Sequence, residues 1–155
     1  ITLPGNMATS AARSPELAAY FAALNLLDAR VLFSKVKISG LMEPGLQPRK
    51  ALLDRHHLFP KGFLKNHGIT AVRQTNQIAN MALLEWPQNI NIKDDAPSDY
   101  VSRIMQGGQF TDEEQRCFAH WHALPEGWEH MSYDAFLPKR RQLMAHVIRE
   151  GFERI

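Results

Sequence analysis

The chain has 155 residues, enough for one compact domain or one domain with a small appendage. Hydrophobic residues make up 45% and charged residues 22%, which excludes a disordered tail, a collagen-like fibre and a low-complexity linker. The net charge of +2 hides a segregation: residues 34–75 hold eight Lys/Arg against Glu43 and Asp54, whereas residues 76–136 sum to −7. A near-neutral chain with one basic block points to a local anion site and argues against a polybasic nucleic-acid coat. No stretch approaches the ~18 apolar residues of a membrane span. Cys117 is the only cysteine, so an internal disulfide and a cysteine-rich zinc cluster are both excluded, and a bacterial-type cytoplasmic location is expected.

The chain opens Ile1-Thr2-Leu3-Pro4, without Met and without the basic start and apolar core of a signal peptide. Residues 1–48 are therefore expected to be a helical segment at the tail of an upstream region, with the main domain over 49–155. Ser14-Pro15-Glu16 supplies a capping hydroxyl, a proline at the first helical position and an early acid, predicting a buried helix through Leu27. Gly40 to Pro48 reads as the clearest loop. Ala51-Leu52-Leu53 then enters a core as a strand that Pro60 must end.

Between them stands Arg55-His56-His57-Leu58-Phe59-Pro60-Lys61. Neighbours on a regular strand face opposite ways, so the two histidines are expected to share a site only if the strand breaks at the pair. A polar cluster, Asn76-Gln77-Ile78-Ala79-Asn80, precedes the apolar Met81 to Leu84, and Pro87 to Lys93 follows. The pattern reads as a strand–loop–strand–helix unit with His and Asn at its corners. Ala96-Pro97-Ser98-Asp99-Tyr100 opens a short helix that Gly107-Gly108 ends, and Thr111 to Glu114 is a capping box. The chain closes on a long amphipathic helix, with Leu137, Met144, Val147 and Ile148 inward and Lys139, Arg140, Arg141, Arg149 and Arg154 on a solvated face. His120 and His122 flank Trp121 and stand about 200° apart on a helix, so they do not chelate one ion. Trp121, Trp128 and Phe136 read as core aromatics, and His67, before Gly68, as a helix C-cap.

Four ordered pieces of this chain resemble the HNH endonucleases of the ββα-metal class. They are His56-His57-Leu58-Phe59-Pro60, Ile78-Ala79-Asn80-Met81-Ala82-Leu83-Leu84, Asn89 nine residues after Asn80, and Ala96-Pro97-Ser98-Asp99-Tyr100. The subgroup they resemble lies C-terminal to ParB-like nuclease domains in restriction and phage-defence proteins, and the likeness covers roughly residues 50–155. The resemblance implies an α+β, mostly helical fold: a ββα-metal core with flanking helices and a long C-terminal helix. It implies a metal-dependent DNA endonuclease in which His57 is the general base and Asn80 holds the catalytic loop, and His57 with it, in place. His56 would take the metal-ligand position usually held by Asp, and Asn89 the second, with Asn91, Lys93 and Asp94 close enough to substitute. A histidine nitrogen in place of a carboxylate weakens the preference for Mg²⁺ and raises that for Mn²⁺, Ni²⁺ or Zn²⁺. Lys61, Lys65, Arg73 and Lys93 are candidates to neutralise backbone phosphates of the DNA partner, with sequence preference left to the upstream region. Two other readings fit the same residues: a non-catalytic module on this scaffold, which His56 in place of Asp favours, and an RNA-cleaving member of the superfamily.

Overall fold

In the computed structural model, which describes residues 4–41, 53–85 and 91–155, the helices beginning at Pro15 and Asp112 start on the capping residues the sequence offers. The helices are α1 (Pro15–Leu26), α2 (Ile38–Leu41), α3 (Lys61–Asn66), α4 (Val72–Thr75), α5 (Pro97–Gln106), α6 (Asp112–Trp121) and α7 (Tyr133–Glu153). Ser14 Oγ accepts from the Leu17 amide at 3.2 Å, with Pro15 at the first position of α1. At α6, Thr111 Oγ1 accepts from the Glu114 amide and Glu114 Oε1 from the Thr111 amide, both at 3.1 Å. Each bond satisfies a backbone N–H that the helix itself leaves over. Gly107 caps α5, and Gly108 takes φ +64° to carry the chain away. The expected Gly40–Pro48 loop begins later than predicted, because Gly40 lies within α2; residues 42–52 are outside the described residues.

Among the described residues two strands complete an α+β, mostly helical architecture. β1 (Leu53–His57) pairs antiparallel with β2 (Met81–Glu85), with His57 opposite Met81 and Arg55 opposite Leu83. The connection between them carries α3, α4 and a turn of 3-10 helix at Ile78–Asn80. Phe59, two residues past the histidine pair, is buried with its ring centroid 4.9 Å from Phe136, 5.3 Å from Tyr133 and 5.9 Å from Trp128. Trp128 and Phe136 are thus core residues, as expected, and the turn after β1 is seated on them.

α7 is the spine, packing along α1 and contacting the 3-10 turn that leads into β2. Its expected solvated basic face is only part of the picture. Arg140 is fully buried, donating from Nη1 to Ala79 O at 2.8 Å and Met81 O at 2.6 Å. Its Nε and Nη2 both donate to His122 O, at 3.2 and 3.1 Å, and the guanidinium carbon lies 6.0 Å from the Tyr20 ring centroid. Among the described residues no carboxylate pairs with it. Amphipathic periodicity counts arginine as polar, yet a planar five-donor fork can be buried wherever carbonyl oxygens are gathered to receive it. The two histidines on either side of Trp121 part as expected: His120 pairs with Glu150 at 2.7 Å, while buried His122 donates from Nε2 to Arg30 O at 2.9 Å.

Two consequences are measurable. A Cβ on Gly151 would sit 2.7 Å from Ala23 Cβ and 2.8 Å from its Cα, so α1 and α7 meet at a contact only glycine allows. Gly151→Ala should therefore lower stability by about 1–3 kcal/mol in urea unfolding, despite the better helix propensity of alanine; a stabilised variant would contradict this contact. Burial depresses the His122 pKa to about 4, the Arg30 carbonyl opposing and the Arg140 charge reinforcing the shift. The unfolded chain then binds a proton at His122 between about pH 6.5 and 4 that the folded chain refuses. Its contribution is complete above that window and declines as pH falls through it, by about 3 kcal/mol in all. The stability difference between wild type and His122→Gln should change across this range, and parallel pH profiles would refute it.

Candidate functional site

The site is built where β1 ends. Arg55, His56, His57, Pro60, Lys61, Lys93 and Asp94 line a pocket of about 200 Å³. The strand runs unbroken through His57 and bends only at Leu58 and Phe59. The expected break at the pair is therefore absent, yet both histidines border the same pocket. The pair stands at the terminus of a two-stranded sheet, where the remaining walls come from Pro60–Lys61 and residues 93–94. His56 is buried, with its ring centroid 6.0 Å from that of Tyr100, and His57 is half-buried.

Backbone geometry brings the far wall in. Gly62 N donates to Asp94 Oδ1 at 3.2 Å, and a Cβ at position 62 would lie 2.2 Å from the Asp94 Cγ. Any larger residue at 62 would displace the carboxylate, so glycine after Lys61 lets residues 93–94 close on the start of α3. Lys93 itself has φ +50°, a left-handed conformation costly for a residue with a Cβ. Among the described residues the lining brings together three cationic side chains, Arg55, Lys61 and Lys93, and one carboxylate, Asp94. Arg55 also donates to Ala12 O at 2.9 Å, tying the pocket rim to the N-terminal segment.

Asn80 is the fully buried lock of the connecting loop. Its Oδ1 accepts from Phe59 N at 2.8 Å, and its Nδ2 donates to Phe59 O at 3.1 Å and Thr75 O at 3.0 Å. Leu58 N donates to Asn80 O at 2.8 Å, and the Tyr100 hydroxyl donates to Leu58 O. Asn80 thus ties the turn after β1 to the end of α4. The partner of the His57 ring is a different residue: Asn76 Oδ1 lies 2.9 Å from His57 Nε2. The sequence sets Asn76 in the polar cluster, and the resemblance implies the histidine contact for Asn80 instead. No spacing in the sequence separates the two amides: Asn76 is the C-cap residue of α4, and the fold of that turn sets its side chain against the His57 ring.

Of the four candidate phosphate-neutralising residues, Lys61 and Lys93 line the pocket. Lys65, one turn further along α3, and Arg73, on α4, are exposed and are not among its lining residues. His67 is the expected C-cap of α3, its ring centroid 4.2 Å from that of Phe63. Asn89 lies outside the described residues. Among the described residues no group of three or more His, Cys, Asp or Glu is arranged to hold a metal ion. His56 and Asp94 are the lining residues that carry the nitrogen and oxygen donors expected of a ligand set in this stretch.

Removing the Asn80 side chain would strand the buried Phe59 amide and two carbonyls. Asn80→Ala should cost about 3 kcal/mol in urea unfolding; a loss below about 1 kcal/mol would contradict the lock. Comparisons with family models, with curated proteins and with solved structures found no match for this chain.

Proposed function

We propose that this chain is a metal-dependent endonuclease domain that hydrolyses DNA phosphodiester bonds, the effector part of a restriction or phage-defence protein. The observation that carries the reading is the convergence of His56, His57, Lys61, Lys93 and Asp94 on one pocket at the end of β1. The ordered motifs of the HNH endonucleases support it, as does the antiparallel β1–β2 pair with the asparagine-locked loop between its strands.

The chemistry needs a base near neutral pH and positive charge around the phosphoryl group. His57 takes a proton from a water molecule whose oxygen bonds to phosphorus. One P–O ester bond breaks, and the departing sugar oxygen is protonated from solvent. Lys61 and Lys93 neutralise the phosphate and orient it. Arg55 stands at the rim, while Lys65 and Arg73 lie beyond the pocket, able to meet phosphates further along the strand. His56 and Asp94 are the described residues that would hold a divalent cation, Mg²⁺ or, given the imidazole donor, Mn²⁺, Ni²⁺ or Zn²⁺. Such a cation would offset the charge that develops on the phosphoryl oxygens.

Supercoiled plasmid should be nicked or linearised in the presence of Mg²⁺, Mn²⁺ or Ni²⁺, and His57→Ala should slow this by about 10²–10⁴-fold. Equal rates in the two proteins would overturn the role of His57. A parallel arm with single-stranded RNA tests the substrate: RNA cleaved in preference to plasmid would replace DNA with RNA in this reading. DNA retention without cleavage under every metal would favour a binding module instead.

A further inference from the structure

We infer that Asn76 is a positioning residue that fixes the tautomer of the His57 ring. The amide oxygen of asparagine has no hydrogen to give, so the 2.9 Å contact with His57 Nε2 requires the hydrogen to sit on that nitrogen. A neutral imidazole so arranged carries its hydrogen on Nε2 and its lone pair on Nδ1.

Asn76 is itself held from both sides. Its backbone N–H donates to Val72 O at 2.9 Å. The carbonyl of the preceding residue, Thr75, accepts from Asn80 Nδ2 at 3.0 Å. The next side chain, Gln77, accepts from Arg141 Nη2 at 3.0 Å and donates to Arg73 O at 2.6 Å. Tyr133 on α7 adds a bond from its hydroxyl to Gln74 O at 2.6 Å. These bonds fix the backbone on either side of Asn76, and the Thr75 hydroxyl lies 3.5 Å from the same amide oxygen, so the side chain that meets the ring springs from a held turn. The effect on rate rests on the nuclease reading; the tautomer does not.

The test uses the full chain and two variants, Asn76→Ala and Asn76→Asp, with circular dichroism to confirm folding. Long-range ¹H–¹⁵N spectra at about pH 8, where an ordinary imidazole is neutral, should show His57 protonated on Nε2 in the wild type. Asn76→Ala should yield a mixture of tautomers, and Asn76→Asp, which keeps an acceptor oxygen, should retain the Nε2–H form. In plasmid cleavage Asn76→Ala should lower kcat by about 10–100-fold with KM changed less than about twofold, and Asn76→Asp should recover most of the loss. A wild-type ring protonated on Nδ1, or a tautomer indifferent to Asn76→Ala, would overturn the inference. A tautomer that responds as expected while no protein cleaves nucleic acid would support the positioning role and overturn the nuclease reading.

Discussion

A single buried guanidinium organises this fold. Arg140 reaches from the middle of α7 to the carbonyls of Ala79 and Met81, the residues on either side of Asn80, and to that of His122 at the end of α6. Taking a charge out of water is expensive unless its donors are satisfied. Here four hydrogen bonds to three carbonyls, with the Tyr20 ring nearby, stand in for the lost hydration. Those carbonyls belong to the junction where the 3-10 turn enters β2 and to a helix C-terminus, both rich in otherwise unspent acceptors. Burial lowers the Arg140 pKa, and arginine remains charged where lysine would give up its proton.

From that anchor the constraints pass outward to the pocket. Arg140 fixes the backbone around Asn80, Asn80 fixes Phe59 and Thr75, and Thr75 adjoins the asparagine that touches His57. Tyr133 and Arg141, on the same helix, brace Gln74 and Gln77. The Asn76 contact of the half-buried His57 is thus the outer end of a chain of bonds that begins in the core. A pocket on a short two-stranded sheet gains rigidity from this scaffold that its ladder alone could not supply.

Much of this was readable from residue types. Capping chemistry placed the starts of α1 and α6, because Ser14 and Thr111 act locally and need no tertiary partner. Pro60 stands just past the end of β1, as its missing N–H demands, whereas the break expected at the histidine pair is absent and Ala51 and Leu52 lie outside the described residues. What sequence could not show depends on three dimensions. A single arginine inside a charged stretch of α7 carries no mark of burial; only the carbonyls of Ala79, Met81 and His122, distant in the chain, make it a core residue. The exchange of roles between Asn76 and Asn80 has a similar cause, since both amides stand in one polar cluster and the fold of α4 decides which meets the ring. Lys93 and Asp94 joined the pocket because Gly62 admits them, a close approach that no periodicity encodes.

The central claim is that the pocket at the end of β1 receives a DNA phosphodiester. Titration of the full chain with a short DNA duplex, followed through the ring resonances of His56 and His57 and the backbone amides of Lys61, Lys93 and Asp94, tests it most directly. The account predicts that these signals move together and saturate at one DNA concentration. Shifts confined to other surfaces, with both histidine rings unmoved, would contradict it.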